Sequence, residues 1–459
     1  MMKKSDILKN DTICPLPFKH AYVGPTYERK LCCISEGEID KFRGKPLDEF
    51  WNSEEMKKIR LDMIQGNKNK MCEPCYYKEK SGLPSYRQNE LIHEENMNNH
   101  EWLTEEAAIE GVVKIPANFD YRTIHCNLTC NHCGPNYSSE HLRLRDKRNS
   151  AGFIDSNGKS FKIDKAFEES MLKDLIQAVD ERRLERAYFA GGEPMMSPFH
   201  WKFIEHLKYV YNNEDKDFIK EINLYYNTNL TKSTWKGENV YEYLKFLNPI
   251  IHASLDGVGS TFNFVRAGAD WEIVKNNFDS AYNNLASVYY GNYHFGIQPV
   301  ILSHNIFSID EFLSFFEQYP GIMMQPMPLM RMFPEKAISY YNAYPGFLDP
   351  IEFPEEIMIP AINRAIERVK SSTLIGAEKC LPILENYKEE IKIHRKNAEE
   401  LEIWSYTSTK IMEEFSNVSL NSLLKEINTE AWIWYNGLCH KYKDIDLKKY
   451  KLADTLVMK

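Results

Sequence analysis

The chain has 459 residues, of which 43% are hydrophobic and 27% are charged, and its formal net charge at pH 7 is −9. This length allows two or three domains, and the composition is that of a globular protein, which excludes a disordered or fibrous chain. The acidic balance disfavours nucleic acid as a partner, and no run of residues is long and apolar enough to cross a membrane. Because the N-terminus lacks the apolar core of a signal peptide, we expect a cytoplasmic protein.

Residues 1–95 are predicted to form a small α+β domain that depends on a bound metal. Its clearest helix is predicted within 51–64, with Asn52 or Ser53 as the N-cap. One such helix provides too small a hydrophobic core for a segment of this length. A metal bound by thiolates is a reasonable staple for such a domain. The segment has five cysteines, of which four suffice as ligands: Cys14, Cys72, Cys75, and either Cys32 or Cys33. A C-x2-C pair serves zinc as well as an iron–sulfur cluster.

After a linker, residues 112–330 alternate between predicted strands and helices. The strands are expected over 119–124, 187–190, 222–227, 250–255, 294–302 and 322–327, and the main helices over 163–182, 198–212, 237–246, 271–288 and 309–318. Six strands that alternate with helices predict an α/β fold with a parallel sheet and right-handed crossovers.

Residues 331–459 are predicted to form a helical C-terminal extension. Five prolines are expected to break up its beginning: Pro334, Pro345, Pro350, Pro354 and Pro360. Amphipathic helices are predicted over 382–394 and 399–415. Nothing in this segment indicates a ligand.

A loop after the first predicted strand of the α/β segment contains Cys126, Cys130 and Cys133, in the spacing C-x3-C-x2-C. Asn, Thr, Pro and Gly in and after this run favour irregular backbone. A tight loop can direct three thiolates toward one point, as one corner of an iron–sulfur cluster requires. Three thiolate ligands would leave one iron open to an added ligand.

The cysteine spacing resembles the C-x3-C-x-aromatic-C signature of the radical S-adenosylmethionine (radical SAM) superfamily. His132 occupies the aromatic position and is flat enough to lie against a purine. The resemblance implies a partial (β/α)6 TIM-like barrel over 112–330 and a catalytic 4Fe-4S cluster held by Cys126, Cys130 and Cys133. It also implies that the open iron binds S-adenosyl-L-methionine, which an electron from the cluster splits to release a 5′-deoxyadenosyl radical.

The resemblance also implies which residues bind S-adenosylmethionine. Gly191, Gly192 and Glu193 of the Gly-Gly-Glu-Pro motif follow the second strand and correspond to the site of the methionine amino group. Asn229 and Ser254, after the third and fourth strands, correspond to contacts with the ribose or the carboxylate.

Arg266 is a candidate partner for the methionine carboxylate, because a guanidinium fork matches a carboxylate. Simpler roles stay open for these residues, since turns and local hydrogen bonds use glycine, asparagine and serine in the same way, and a surface salt bridge would explain Arg266. Asp256 belongs either to the substrate site or to the turn that it begins.

The N-terminal segment resembles the SPASM/twitch modules that carry auxiliary iron–sulfur clusters in radical SAM enzymes. The matching features are Cys-Pro-x-Pro-Phe, the helix over 51–64 and the Cys-x2-Cys pair. The resemblance implies an auxiliary 4Fe-4S cluster held by cysteines among Cys14, Cys32, Cys33, Cys72 and Cys75. Such a module usually follows the catalytic core, whereas here it precedes it.

The resemblance implies a radical SAM enzyme that removes a hydrogen atom from its substrate, of oxidoreductase or transferase type. It implies peptide or protein modification first, and dehydrogenation or rearrangement of a small molecule second. A low-potential electron donor, flavodoxin or ferredoxin, is the implied partner. A different class also stays open, a non-catalytic binding protein stapled by zinc.

Overall fold

The computed structural model describes residues 3–80, 82, 84–152, 161–247, 249–286, 294–329, 347–394, 398–416 and 419–449. The chain forms two compact units. Unit 1 contains Met1–Ile124 and Lys162–Tyr225, and unit 2 contains His125–Phe161 and Tyr226–Val457. These boundaries differ from those of the three predicted domains, whose functional division stays a prediction. In the part of the chain that the structure describes, no helix is both long and apolar enough to span a membrane.

Twelve short strands are present among the described residues. In chain order they are β1 (His20–Val23), β2 (Arg29–Lys30), β3 (Asn118–Thr123), β4 (Arg186–Gly191), β5 (Asn223–Thr228), β6 (Thr234–Trp235), β7 (Glu238–Asn239), β8 (Ile250–Ala253), β9 (Phe295–Ile297), β10 (Val300–Ile301), β11 (Met323–Met324) and β12 (Met327–Pro328).

Helices fill most of the sequence between and after the strands. In unit 1 they are Lys4–Ile7, Leu16–Lys19, Leu47–Trp51, Glu54–Ile64, Glu73–Lys80, Tyr86–Asn96, Glu105–Glu110, Lys165–Asp180, Pro198–Asn213 and Lys216–Glu221. In unit 2 they are Ser139–Ser150, Val240–Leu244, Gly259–Val265, Trp271–Ala281, Ser303–Phe307, Ile309–Phe316, Glu355–Lys370, Cys380–His394, Ala398–Ser416, Leu420–Ile427 and Thr429–Lys441.

In unit 1, the N-terminal segment shares a sheet with the first strand of the α/β segment. β1 pairs in parallel with β3, where His20 lies opposite Asn118, and β3 pairs in parallel with β4. β2 adds an antiparallel edge to β1. β1 is four residues long and entirely buried, so it has none of the alternation that marks a strand in a sequence.

In unit 2, β8 and β9 are parallel neighbours, and β9 also pairs in parallel with β11. The helix Trp271–Ala281 packs its predicted face inward, since Trp271, Val274, Phe278 and Ala281 are all buried. β5 begins in unit 1 and ends in unit 2. Six strands, β3, β4, β5, β8, β9 and β11, stand at the six predicted positions and alternate with helices. The predicted α/β fold with mostly parallel strands is therefore confirmed.

Several predicted elements differ in detail from the observed ones. The helix predicted over 51–64 is two helices, and Ser53 caps the second by accepting a hydrogen bond from the Met56 backbone N–H. The strands predicted over 294–302 and 322–327 are each two short strands. The end of the helix predicted over 271–288 lies outside the described residues, as do Pro334 and Pro345.

One proline does not break the C-terminal segment as predicted. Pro360 lies inside the helix Glu355–Lys370. That helix buries Ile357, Met358, Ala361 and Ile362, and burial of this apolar face offsets the hydrogen bond that proline cannot donate.

Candidate functional site

The loop with Cys126, Cys130 and Cys133 is held from one side by the helix that follows it. Ser138 caps that helix, and its hydroxyl donates to the Leu128 carbonyl at 2.7 Å. Ser139 Oγ donates to the Cys126 carbonyl at 2.9 Å and accepts from the Cys126 backbone N–H at 3.1 Å. Local hydrogen bonds thus fix the backbone of the first cysteine.

His141 fixes the second cysteine in the same way. Its Nε2 lies 2.9 Å from the Cys130 carbonyl oxygen, which can only accept, so the imidazole donates from Nε2. Burial lowers the pKa of His141 to about 4, which keeps the ring neutral at pH 7. Neither Ser139 nor His141 is among the residues predicted from the sequence, although both lie in the first turn of the helix after the loop.

The segment 264–267 holds the loop from a second direction. The Thr129 backbone N–H donates to the Ala267 carbonyl at 2.9 Å, and that of Asn131 donates to the Val265 carbonyl at 2.8 Å. The Asn131 side chain also donates to the Phe264 carbonyl at 2.7 Å. These bonds place Arg266 opposite Cys130.

Two side-chain N–H groups face the sulfur atoms of this loop. Asn229 Nδ2 lies 4.0 Å from Cys126 Sγ, and Arg266 Nη1 lies 4.0 Å from Cys130 Sγ. Hydrogen bonds to cysteine sulfur are one of the means by which proteins hold and tune iron–sulfur clusters. The loop therefore fits a thiolate-bound cluster, with Cys126, Cys130 and Cys133 as the residues that would hold it.

The thiols of Cys130 and Cys133 need such a partner to ionise near neutral pH. Burial raises the pKa of Cys130, although Arg266 acts in the opposite direction. Burial, with Cys130 as a neighbour, raises the pKa of Cys133 to about 12. Metal binding to this loop must therefore release protons.

His132 and Asp256 also lie beside Arg266 in this site. His132 Nε2 is 3.6 Å from Asp256 Oδ2, and Arg266 Nε donates to the same oxygen at 2.5 Å. Burial lowers the pKa of His132 to about 4, so its ring is neutral at pH 7. From the sequence, Asp256 could belong to the substrate site or to a turn, and its ion pair with Arg266 could not be predicted from the spacing.

In unit 1, the Gly-Gly-Glu-Pro motif forms a tight turn at the end of β4. Gly191 has φ +101°, and a Cβ there would lie 2.5 Å from the Thr123 carbonyl oxygen. The Gly192 backbone N–H donates to the same oxygen at 2.5 Å. Glu193 is fully buried and accepts from the Met195 backbone N–H at 3.1 Å. These contacts stabilise the turn itself, and the predicted role of the motif in binding S-adenosylmethionine stays a prediction.

Asn229 and Ser254 lie after β5 and β8, as predicted, within unit 2. Asn229 Oδ1 accepts from the Thr231 backbone N–H at 2.9 Å, so this side chain forms a local turn as well as facing Cys126. The Ser254 backbone N–H donates to the Thr228 carbonyl at 2.8 Å. Their contacts with a cofactor stay predictions.

A second group of cysteines surrounds a small cavity in unit 1. Four of the five N-terminal cysteines line it: Cys14, Cys32, Cys72 and Cys75. Leu16, Pro17 and Leu31 form part of its apolar wall. Burial raises the pKa of Cys14 and Cys32, and neighbouring thiols raise both further. A cavity between converging thiols fits a thiolate-bound cluster.

Cys33 does not line this cavity. Burial raises the pKa of its thiol to about 11, and the charged groups that act on it are Arg122, Asp120 and Glu90. Within the described residues, no three His, Cys, Asp or Glu side chains are arranged around the position of a single metal ion.

Residues 121–296 match the family model described as the radical SAM superfamily. No curated protein matches the sequence. Among solved structures, native anSMEcpe with bound AdoMet is 16% identical, with a TM-score of 0.35, over 61% of this chain and 60% of that chain. HydG, a maturase of the FeFe-hydrogenase, is 11% identical, with a TM-score of 0.26, over 86% of this chain and 98% of that chain. The chain thus spans about three fifths of the length of anSMEcpe.

Proposed function

We propose, on the premise that residues 121–296 form a radical SAM domain, that this chain is an enzyme that cleaves S-adenosylmethionine reductively. When bound, a 4Fe-4S cluster and S-adenosylmethionine supply a 5′-deoxyadenosyl radical that removes a hydrogen atom from the substrate. The observation that carries the proposal is the pair of N–H donors, on Asn229 and Arg266, that face Cys126 and Cys130 Sγ.

The residues of the chain would have separate tasks in this reaction. Cys126, Cys130 and Cys133 would hold the catalytic cluster, and Ser139 and His141 would keep the loop in shape. His132, Gly191, Gly192, Glu193, Asn229, Ser254 and Arg266 are the proposed contacts of S-adenosylmethionine. The electron would come from an external low-potential donor, flavodoxin or ferredoxin.

The N-terminal cavity supports an auxiliary 4Fe-4S cluster as a second part of the proposal. Cys14, Cys32, Cys72 and Cys75 would be its ligands, because these four thiols share one cavity. Such a cluster could accept an electron from the substrate radical or anchor the substrate. The proposed substrate is a peptide or a protein, which is the first choice that the resemblance to radical SAM enzymes implies.

The test is anaerobic reconstitution with iron and sulfide, followed by dithionite and S-adenosylmethionine. The wild-type protein should show cluster absorbance and form 5′-deoxyadenosine, whereas Cys130→Ala should form none. Cys439→Ala is the matched control, since this half-buried cysteine lies in the helix Thr429–Lys441, away from both cysteine groups in the sequence. Undiminished cofactor cleavage by Cys130→Ala would overturn the assignment, and a wild-type protein that binds only zinc would favour the binding-protein alternative.

A further inference from the structure

Asp256 and Arg266 form a buried ion pair directly behind Cys130. Arg266 Nε donates to Asp256 Oδ2 at 2.5 Å, and the side chains of Arg266 and Asp256 are 12% and 0% exposed, respectively. Burial alone would raise the pKa of Asp256, but the adjacent Arg266 guanidinium lowers it below the ordinary value, so the carboxylate is ionised. The pair is therefore a true charge pair in a water-poor site, where its geometry is strongly constrained.

Asp256 is itself held from the other side. Its Oδ1 accepts from the Val300 backbone N–H at 2.8 Å, and its backbone carbonyl accepts from Asn305 Nδ2 at 3.1 Å. Because the carboxylate is fixed at one oxygen and bonds Arg266 through the other, it fixes the direction of the guanidinium. The Nε edge of Arg266 faces Asp256, and Nη1 faces Cys130 Sγ at 4.0 Å.

The backbone hydrogen bonds show that this orientation is built into the loop. Those from Thr129 to Ala267 and from Asn131 to Val265 stand on either side of the Cys130–Arg266 pair. A cation held at this point stabilises extra negative charge on the cysteine sulfur and whatever the sulfur binds.

We propose that Asp256 is a positioning residue that holds Arg266 against Cys130, and that Arg266 thereby raises the reduction potential of the catalytic cluster. This inference rests on the proposed function. Reduction adds one negative charge to the cluster, so a fixed neighbouring cation favours the reduced form. Hydrogen bonds to the sulfurs and net charge are among the factors that set the potential of such clusters.

The direction in which Asp256→Asn shifts the reduction potential of the cluster distinguishes two roles of Asp256: holding Arg266 in place, or acting only through its own negative charge. Removing an anion while Arg266 stays in place would make the cluster easier to reduce. If Asp256 acts by holding Arg266, its loss lets the guanidinium turn away, and the cluster becomes harder to reduce. The side-chain amide oxygen of the Asp256→Asn variant can still accept from the Val300 backbone N–H, so the substitution leaves that contact intact.

The experiment is an EPR-monitored redox titration of the reconstituted full chain without S-adenosylmethionine. The EPR signal of the catalytic cluster is identified as the one that changes when S-adenosylmethionine is added after the titration. Arg266→Met and Asp256→Asn should each make reduction at least tenfold less favourable, which is about 59 mV for a one-electron couple. Asp256→Glu keeps a carboxylate and should recover most of the wild-type potential. Arg143→Met removes an exposed guanidinium paired with Glu140 and should leave the potential unchanged.

Each outcome has a defined meaning. An unchanged potential in Arg266→Met, or a higher potential in Asp256→Asn, would overturn the inference while leaving the proposed function intact. Loss of the cluster from both variants would also overturn it, because the pair would then be a structural support. A wild-type protein with no signal that responds to S-adenosylmethionine would instead contradict the proposed function.

Discussion

Cys32 and Cys33 are adjacent in the chain, yet only Cys32 lines the cavity that Cys14, Cys72 and Cys75 share. The thiols of Cys33, Cys14 and Cys72 act on Cys32, whereas Arg122, Asp120 and Glu90 are the charged groups that act on Cys33. The sequence left the choice between the two cysteines open. The structure favours Cys32 as the fourth ligand of the proposed auxiliary cluster.

We therefore expect Cys32→Ser and Cys33→Ser to differ in iron content after anaerobic reconstitution. The wild-type chain should bind about eight irons in two 4Fe-4S clusters, and Cys33→Ser should bind the same number. Cys32→Ser should fall well below this number, because serine replaces one of four thiolates. Iron and sulfide analysis measures the difference, and equal iron loss in the two variants would contradict the assignment. If the analysis instead finds one zinc per chain at this site, the four thiols hold a structural zinc ion and not an auxiliary cluster.

Replacing Gly191 with alanine should destabilise the protein more than the same substitution at another glycine with positive φ. A Cβ at Gly191 would lie 2.5 Å from the Thr123 carbonyl oxygen, whereas one at Gly37, with φ +71°, meets nothing within 4 Å. Gly37→Ala should cost only the backbone strain, about 1 kcal/mol, and Gly191→Ala should cost about 3 kcal/mol or more, since β3 or β4 must also shift. Chemical denaturation of the two variants measures this difference. Equal midpoints would show that the end of β4 has room for a side chain.

His141→Phe should weaken retention of the catalytic cluster. The phenyl ring fills similar space but cannot donate to the Cys130 carbonyl, which His141 reaches at 2.9 Å. The Cys130 carbonyl would keep its hydrogen bond from the Cys133 backbone N–H at 2.9 Å, so the variant loses one of two hydrogen bonds to this oxygen. Such a loss costs about 0.5–1.5 kcal/mol, and the loop should open more often. The rate of iron release to a chelator is the measurement, and His93→Phe, at an exposed position, is the control. The same release rate in both variants would mean that the helix holds the loop without His141.

Asp174 should make the protein less stable as the pH rises toward neutrality. Burial raises the pKa of this carboxyl group from 3.8 to about 6, and the Tyr121 hydroxyl donates to Oδ2 at 3.2 Å. Between these two pH values the folded state holds more protons than the unfolded state, so the free energy of unfolding falls as pH rises through this window. The loss is at most about 1.4 kcal/mol per pKa unit and is reduced by partial solvent access.

Asp174→Asn should remove this dependence and raise stability at pH 8. Denaturant midpoints at pH 4, 5, 6 and 8 measure it, with Asp217→Asn as an exposed control. A wild-type curve that falls toward acid over this range, and is not altered by Asp174→Asn, would show that another group dominates.

The sequence predicted the strand positions of the α/β segment well, because apolar or aromatic residues recur along most of these strands and a marked turn follows several of them. Gly191 shows why: the same glycine signals the end of β4 in the sequence and adopts φ +101° in the structure. The irregular loop that contains the three cysteines was likewise predictable, from its composition. Ser139 and His141 were within reach of the same reasoning, since they follow the loop directly.

Other relationships depend on contacts between distant residues and had no sequence signal. Cys130 and Arg266 face each other only because the loop and the segment 264–267 exchange backbone hydrogen bonds. The choice between Cys32 and Cys33 depends on which way each side chain points, which no spacing can indicate. The helices Glu73–Lys80 and Tyr86–Asn96 were missed because polar residues dominate both, and apolar periodicity is therefore weak.

The parallel pairing of β1 with β3 has a consequence for biosynthesis and for truncation. β1 leaves the ribosome long before β3, so the N-terminal segment must wait for most of a further hundred residues before its strand can be completed. Deleting residues 1–95 would strip one neighbour from β3 and expose its row of unpaired N–H and C=O groups. An exposed strand edge of this kind is a template for self-association. Residues 1–95 therefore cover an edge of β3 that would otherwise be open to self-association, and they do so through backbone pairing alone.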